Sequence, residues 1–105
     1  MNNWNNKQTE DLLQAILALK NLEEARNFFR DLLTEQELVE FGKRWQTAKM
    51  LNANVPYSEI AKQTGLSSTT IARVSQWLNQ GMGGYTLALK RSGLHHHLLP
   101  SKRSA

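Results

Sequence analysis

The sequence has no cysteine and only two prolines in 105 residues. Without cysteine the chain has no disulfide, no thiolate metal site and no cysteine nucleophile, and this composition suits a reducing cytoplasm. No apolar run approaches the length of a membrane span, and no signal-peptide pattern opens the sequence. These absences argue against a secreted or membrane-spanning protein and favour a cytoplasmic one.

The sequence also lacks the alternation of apolar and polar residues that marks β-strands, and its β-branched residues are sparse. Apolar residues recur instead at intervals of three and four, as in Leu12, Ile16 and Leu19. We therefore predict an all-α protein with about six helices. Its helical domain is expected over residues 9–92, between a flexible N-terminal segment (1–8) and a basic, flexible C-terminal tail (93–105).

Polar residues before the apolar segments mark the expected helix starts. Thr9 is expected to cap the first helix and Asn21 the second. Thr34 and Glu37 have the spacing of a capping box, in which each side chain accepts a hydrogen bond from the other residue's free amide. The third helix should then run to about Leu51, because asparagines and a proline follow it.

The first three predicted helices have apolar faces wider than so short a chain is expected to cover by itself. The second helix, for example, carries Ala25, Phe28, Phe29 and Leu32 on one side. The simplest physical solution is a homodimer with a shared core. A small bundle that is stable as a monomer is the alternative.

Acidic residues are almost absent from the second part of the sequence. Residues 1–40 contain four bases and eight acids, a net charge of −4, whereas residues 41–105 contain nine bases and only Glu59, a net charge of +8. An acidic part joined to a strongly basic part is typical of a nucleic-acid-binding protein with a separate assembly region. A surface that is merely polarised and solvated would give the same charge pattern.

Residues 57–78 form the most specific motif in the sequence. Ala61 is small enough for two helices to cross closely, Gly65 tolerates the left-handed backbone of a tight turn, and Ser67 can cap the second helix. The small core between the helices is predicted to contain Ile60, Leu66, Ile71 and Val74. This pattern predicts a helix-turn-helix, whose second helix enters the major groove of DNA. An αα-hairpin within a bundle is the alternative.

The residues predicted to contact DNA lie at the start of the second helix and on the basic segments around it. Small hydroxyl side chains allow close approach, and an arginine can bind guanine or a phosphate. Basic residues that flank the motif are expected to contact phosphates. The predicted DNA-binding residues are Ser67, Ser68, Thr69, Thr70, Arg73, Lys62, Lys43 and Lys49.

The chain resembles the Trp repressor superfamily over roughly residues 10–91. The resemblance lies in the Leu-Leu-Thr sequence at 32–34, in Gly42 and Arg44, and in the helix-turn-helix with its Thr-Ile-Ala-Arg sequence at 70–73. The glycine-rich stretch at 81–85 is similar to that of the YerC/YecD-type branch. The resemblance implies an intertwined homodimer on a palindromic operator, with half-sites about one helical turn (~34 Å) apart.

The resemblance also implies where an effector would bind. Trp repressors hold their co-repressor near a threonine and two arginines, which correspond here to Thr34, Arg44 and Arg73. Val74 stands where those repressors have a glycine, and Trp77 where they have a serine. Both changes fill the space of a free tryptophan and argue against L-tryptophan as the effector. A ligand-independent protein, with Trp77 plugging the pocket, and a pocket for another small molecule both remain open.

We expect no enzymatic activity, because the sequence shows no nucleophile–base pair and no nucleotide-binding loop. No metal or other cofactor is expected. The three adjacent histidines at 95–97 do not share one face of a helix, and no cysteine or nearby carboxylate completes a metal site.

The sequence as a whole predicts a sequence-specific DNA-binding transcriptional regulator, most simply a repressor, that acts as a homodimer. One alternative is a protein-interaction module that uses the same helix pair to dock on another protein. The other is a repressor that depends on a small effector other than tryptophan.

Overall fold

The computed structural model describes residues 3–98, with side chains described for residues 3–93, and this part contains only α-helices and their connections. The helices are α1 (Lys7–Leu17), α2 (Leu22–Leu32), α3 (Glu35–Asn52), α4 (Tyr57–Thr64), α5 (Ser68–Gln80) and α6 (Gly84–Leu98). The prediction of an all-α protein with about six helices is confirmed. None of the described helices is both long and apolar enough to cross a membrane.

The first helix begins earlier than the sequence predicted. Asn6, not Thr9, is the N-cap of α1, and its Oδ1 accepts a hydrogen bond from the Thr9 backbone N–H at 2.9 Å. Asparagine is at least as good a cap as threonine. An ion pair of 2.9 Å between Lys7 and Asp11, one turn apart, further supports the earlier start. The prediction of a cap at Thr9 is therefore wrong by three residues.

The predicted starts of α2 and α3 are confirmed by side-chain caps, which at α3 form a complete capping box. The Asn21 Oδ1 accepts from the Glu24 N–H, and the Glu24 carboxylate accepts from the Lys20 N–H, both at 2.9 Å. The Thr34 Oγ1 accepts from the Glu37 N–H at 3.0 Å, and the Glu37 carboxylate accepts from the Thr34 N–H at 2.9 Å. Local hydrogen bonds therefore fix where both helices begin.

The chain divides into two compact units, Met1–Val39 and Glu40–Ala105, with the boundary inside α3. In the first unit, neither α1 nor α2 has a buried residue. Leu17 is 78% exposed and Leu22 71% exposed. In a single chain, the wide apolar faces predicted for these helices are therefore open to solvent.

The core of the second unit lies between α4, α5 and the end of α3. Ile60, Leu66 and Ile71 form a buried cluster, and partly buried side chains pack around it: Met50, Leu51, Val55 and Ala61. Val74 is also fully buried. All four predicted core positions of the helix-turn-helix are therefore buried, and α4 packs directly on α5.

The last helix contacts both α3 and α5. The Trp45 and Tyr85 rings stack, with centroids 6.3 Å apart and planes inclined by 22°, and the Thr86 hydroxyl donates to the Leu78 carbonyl at 3.3 Å. The backbone of α6 continues to Leu98. Residues 99–105 lie outside the described residues, as do the side chains of the three histidines.

Steric crowding explains the first glycine of the connection between α5 and α6. The Gly81 N–H donates to the Trp77 carbonyl at 2.9 Å, and a Cβ atom on Gly81 would collide with that same carbonyl oxygen. Glycine is therefore required at this position, directly after the end of α5, because the backbone passes too close for a side chain.

Two glycines allow a direct test of the turn. Gly65 has φ of 78°, whereas Gly42 lies inside α3, where an added Cβ meets no atom within 4 Å. We expect Gly65→Ala to lower the free energy of unfolding by about 1 kcal/mol and Gly42→Ala to raise it by about 0.5–1 kcal/mol. Urea unfolding followed by circular dichroism, at one protein concentration, measures both values. If both substitutions changed the free energy of unfolding in the same direction, the assigned turn would be contradicted.

Candidate nucleic-acid interface

The turn between α4 and α5 is the centre of the candidate interface. Gly65 caps α4 in the left-handed conformation, and its N–H donates to the Ala61 carbonyl at 2.8 Å. Two further residues, Leu66 and Ser67, complete the connection before α5 begins at Ser68. A helix pair with a buried seam and so short a turn fits the helix-turn-helix that the sequence predicted.

Thr64 holds this turn in place, and the sequence analysis missed it. Its side chain is buried, its hydroxyl donates to the Ile60 carbonyl at 2.7 Å, and the same oxygen accepts from the Leu66 N–H at 3.1 Å. The second bond satisfies a backbone donor that the turn leaves without a helical partner. The signal in the sequence was a threonine just before the turn glycine, because threonine in a helix can bond the carbonyl four residues earlier.

Ser67 caps α5 as predicted. Its Oγ accepts from the Thr70 N–H at 3.1 Å and lies 3.2 Å from the Thr70 Oγ1, to which it can donate. Thr70 is half-buried, whereas Ser68 and Thr69 are exposed. Of the four hydroxyl groups predicted to contact DNA, two therefore belong to the cap, and those of Ser68 and Thr69 face solvent.

One face of α5 presents hydrogen-bonding side chains to solvent. Thr69 and Arg73 are exposed and lie four residues apart, and Gln76 follows on the same face after three more. Glutamine can make two hydrogen bonds to adenine, and arginine can make two to guanine. Gln76 was missed as a candidate, although its helical spacing from Arg73 was visible in the sequence.

The predicted basic residues differ in their surroundings. Lys43 is half-buried, and its ammonium lies 3.9 Å from where a Cβ atom on Gly65 would stand, so it lies beside the turn. Lys62 is exposed on α4, and Lys49 is exposed on α3, beside α6. The structure therefore brings Lys43 and Lys62 to the helix-turn-helix, while Lys49 lines a separate groove.

These cations have no acidic partners in the described part of the chain. Among the described side chains, no carboxylate lies within 4.0 Å of Lys43, Lys62 or Arg73; the one ion pair of the second unit joins Arg44 and Glu40. Glu59, the sole acid after residue 40, accepts a hydrogen bond from the Gln63 amide at 2.7 Å. The surface of the motif is therefore positively charged.

The residues of the predicted effector pocket lie in different environments. The Thr34 hydroxyl takes part in the capping box of α3. Val74 is fully buried in the core, Arg73 is exposed, and Trp77 is 43% exposed. Within one chain, Trp77 therefore does not plug an internal cavity.

Arg44, the remaining residue of that predicted pocket, lies among aromatic side chains. Its guanidinium lies 5.7 Å from the centroid of the Phe41 ring, and its Nε lies 3.7 Å from the Glu40 carboxylate. It also lines a cavity of about 260 Å³ together with Phe41, Trp45 and Tyr85. Arg44 is thus held by a cation–π contact and a long ion pair.

The described residues contain no group of three or more side chains that could hold a metal ion. They contain histidine only in α6, at positions whose side chains are not described.

Comparison with known proteins gives consistent matches. The family model described as "Trp repressor protein" matches residues 7–93. The protein YerC of Bacillus subtilis (strain 168), described as uncharacterized, is 41% identical over 85 residues, which cover 81% of this chain and 82% of YerC. Both matches include the whole helix-turn-helix of this chain.

Two crystal structures have a similar fold. A TrpR-like protein from Eubacterium eligens ATCC 27750 superposes with a TM-score of 0.84 at 41% identity, covering 90% of this chain and 97% of that one. A putative Trp repressor from Staphylococcus aureus superposes with a TM-score of 0.78 at 38% identity, covering 82% and 86%. The helical architecture of this chain is therefore shared with these proteins.

The cap of α5 can be tested with two adjacent serines. Ser67→Ala removes the hydroxyl that accepts from the Thr70 N–H, so we expect a loss of about 1 kcal/mol in the free energy of unfolding. Ser68→Ala is the matched control, since this exposed residue at the first helical position makes no side-chain hydrogen bond among the described residues; its effect should stay within about 0.5 kcal/mol. Urea unfolding measures both, and equal losses would contradict the assigned cap.

Proposed function

The chain belongs to the Trp repressor family, and from this premise we propose that it is a sequence-specific DNA-binding regulator of transcription, acting as a homodimeric repressor. The observation that carries the proposal is the exposure of Ser68, Thr69 and Arg73 on a helix whose opposite side is fixed in a buried core. A rigid helix with free donors on its outer face is what reading base edges requires.

The start of α5 suits an electronegative partner. Its first turn contains no acidic residue, so the positive end of the helix dipole is not neutralised there. Ser68 and Thr69 are small, which allows the backbone to approach a groove wall or a phosphate. We infer that α5 enters the major groove by this end, with Arg73 and Gln76 further along the same face.

Phosphate contacts would hold the helix in register. Lys43 beside the turn and Lys62 on α4 carry charges without acidic partners among the described residues, and Lys49 adds a third from α3. Phosphate contacts of this kind supply most of the affinity and make it dependent on salt. Bound at an operator, such a protein would repress by blocking access of the polymerase.

The homodimer is supported by the first unit. Leu13, Leu17, Leu22 and Leu32 of α1 and α2 are each between 46% and 78% exposed in one chain. Side chains of this size gain about 1.5–3 kcal/mol each when they are fully buried. A second copy that covers these faces would also supply the second recognition helix for a palindromic operator.

The alternative of a protein-docking module receives less support. Beside Trp77, which is 43% exposed, the outer face of α5 carries the polar side chains of Thr69, Arg73 and Gln76, and surfaces that dock proteins are usually apolar at their centre.

DNA binding can be tested with duplexes of random sequence and with an operator selected from a random library. We expect the logarithm of affinity to fall linearly with the logarithm of salt between about 50 and 200 mM. Arg73→Gln should cost about 1–3 kcal/mol on the selected operator, whereas Lys62→Gln should weaken all duplexes alike and reduce the salt slope by about one. Fluorescence anisotropy measures these affinities.

The matched control for these variants is Lys20→Gln, which removes the same charge from an exposed lysine of the first unit. Its affinity for DNA should equal that of the wild type. The proposal fails if the wild-type protein does not bind duplex DNA at low salt, or if Lys20→Gln weakens binding as much as Arg73→Gln.

The homodimer predicts a particle of twice the 12.0 kDa chain mass in sedimentation equilibrium. The double substitution Leu17→Glu and Leu22→Glu places charge on the exposed apolar face and should shift the equilibrium to monomer by several kcal/mol. Gln14→Glu, on the exposed surface of α1, is the control and should leave the dimer intact. A wild-type protein that sediments as a monomer at micromolar concentration would refute the shared core.

A further inference from the structure

The methyl group of Ala72 on α5 has no part in the contacts proposed above. Ala72 is exposed and lies three residues after Thr69 and four before Gln76, so these side chains share one side of the helix. Within residues 68–75, the first two turns of α5, Ala72 is the one apolar residue that is exposed, because Ile71 and Val74 are buried. Ala72 therefore belongs to the surface proposed to meet DNA and not to the core.

Ala72 lies in the part of α5 that approaches DNA first. It follows Ser68, the first residue of the helix, by four residues, which is about 6 Å along the helix axis. Helix-turn-helix proteins contact base edges mainly with the N-terminal residues of the second helix. The position of Ala72 is thus suited to a base contact.

The backbone fixes where the Ala72 methyl group stands. Ile71, directly before it, and Val74, two residues later, are both fully buried, so this turn of α5 is anchored in the core. Alanine has no rotamers to lose, and burying its side chain costs no side-chain conformational entropy. A contact made by this methyl group therefore depends on the path of the helix alone.

A methyl group can discriminate between bases in one way only. The edges of the base pairs in the major groove carry hydrogen-bonding atoms, and the C5 methyl group of thymine is the one apolar group among them. Packing Ala72 against a donor or an acceptor would remove water from that atom without replacing the hydrogen bond, which costs free energy. Packing it against the thymine methyl group removes apolar surface from water on both sides, which is favourable.

We propose that Ala72 is a specificity-determining residue, and that its methyl group packs on the C5 methyl group of one thymine in each half-site. Ala72 adds a preference for thymine at one position, next to the hydrogen bonds proposed for Arg73 and Gln76. The inference rests on the proposed function, since it requires α5 to lie in the major groove of DNA.

Failure of this inference can be distinguished from failure of the regulator. A protein with no affinity for duplex DNA at low salt refutes the proposed function. A protein that binds a selected operator equally well with thymine and with uracil at every position is still a DNA-binding protein, and that result overturns only the role of Ala72.

Uracil lacks only the C5 methyl group of thymine, so it isolates the contact. An operator selected from a random library is synthesised with deoxyuridine at one symmetry-related thymine pair at a time, and fluorescence anisotropy measures its affinity for the wild-type chain. At one pair, we expect binding to weaken by about fourfold for each methyl group removed.

The variant Ala72→Gly removes the methyl group of the protein. At the thymine pair identified with the wild type, it should bind the thymine and uracil operators equally, because its weaker helix propensity affects both operators alike and cancels in the comparison. Gln80→Gly is the matched control, since it places a glycine at an exposed position at the end of the same helix. This control should keep the wild-type preference for thymine.

A second variant keeps the test valid if Ala72→Gly does not fold. Ala72→Ser retains a side chain on the helix and places a hydroxyl group against the thymine methyl group, where it finds no hydrogen-bond partner, so the preference for thymine should fall here as well. Circular dichroism shows which variants are folded. The proposal is overturned if the wild type prefers thymine at no pair, if the folded Ala72 variants keep the full preference, or if Gln80→Gly loses it equally.

Discussion

The close crossing of α4 and α5 is the constraint on which the candidate interface depends. Ile60 and Ile71 are fully buried in one cluster, and Gly65 begins the three-residue turn that joins the two helices. Such a turn leaves backbone donors without helical partners, and the buried hydroxyl of Thr64 satisfies one of them. Because the inner side of α5 is fixed by this core, its outer side is held rigidly toward solvent. A recognition helix needs this combination of fixed position and free side chains.

The two units carry different chemistry, and each suits a different kind of partner. The first has large aliphatic side chains exposed on α1 and α2. Burying them against a second apolar surface is favourable, because it removes apolar surface from water. The second unit has basic residues without acidic partners among the described side chains, and a polyanion is what neutralises them.

Much of the fold could be predicted because its signals are local. The caps at Asn21, Thr34 and Ser67 each involve residues three apart, so their spacing is visible in the sequence. The start of α1 was predicted wrongly because two good caps, Asn6 and Thr9, lie within one turn and sequence spacing does not rank them. The steric role of Gly81 was missed because it depends on the path of the backbone at Trp77.

The sequence by itself determined the helical class, the helix-turn-helix core and the division of charge, because periodicity, turn chemistry and composition are properties of neighbouring residues. The tertiary structure decided which side chains remain available. It committed Ser67 and Thr70 to the cap, left Ser68 and Thr69 exposed, and stacked Trp45 on Tyr85, forty residues later in the chain. Exposure and pairing depend on which distant segments pack together, and no local pattern in the sequence records that packing.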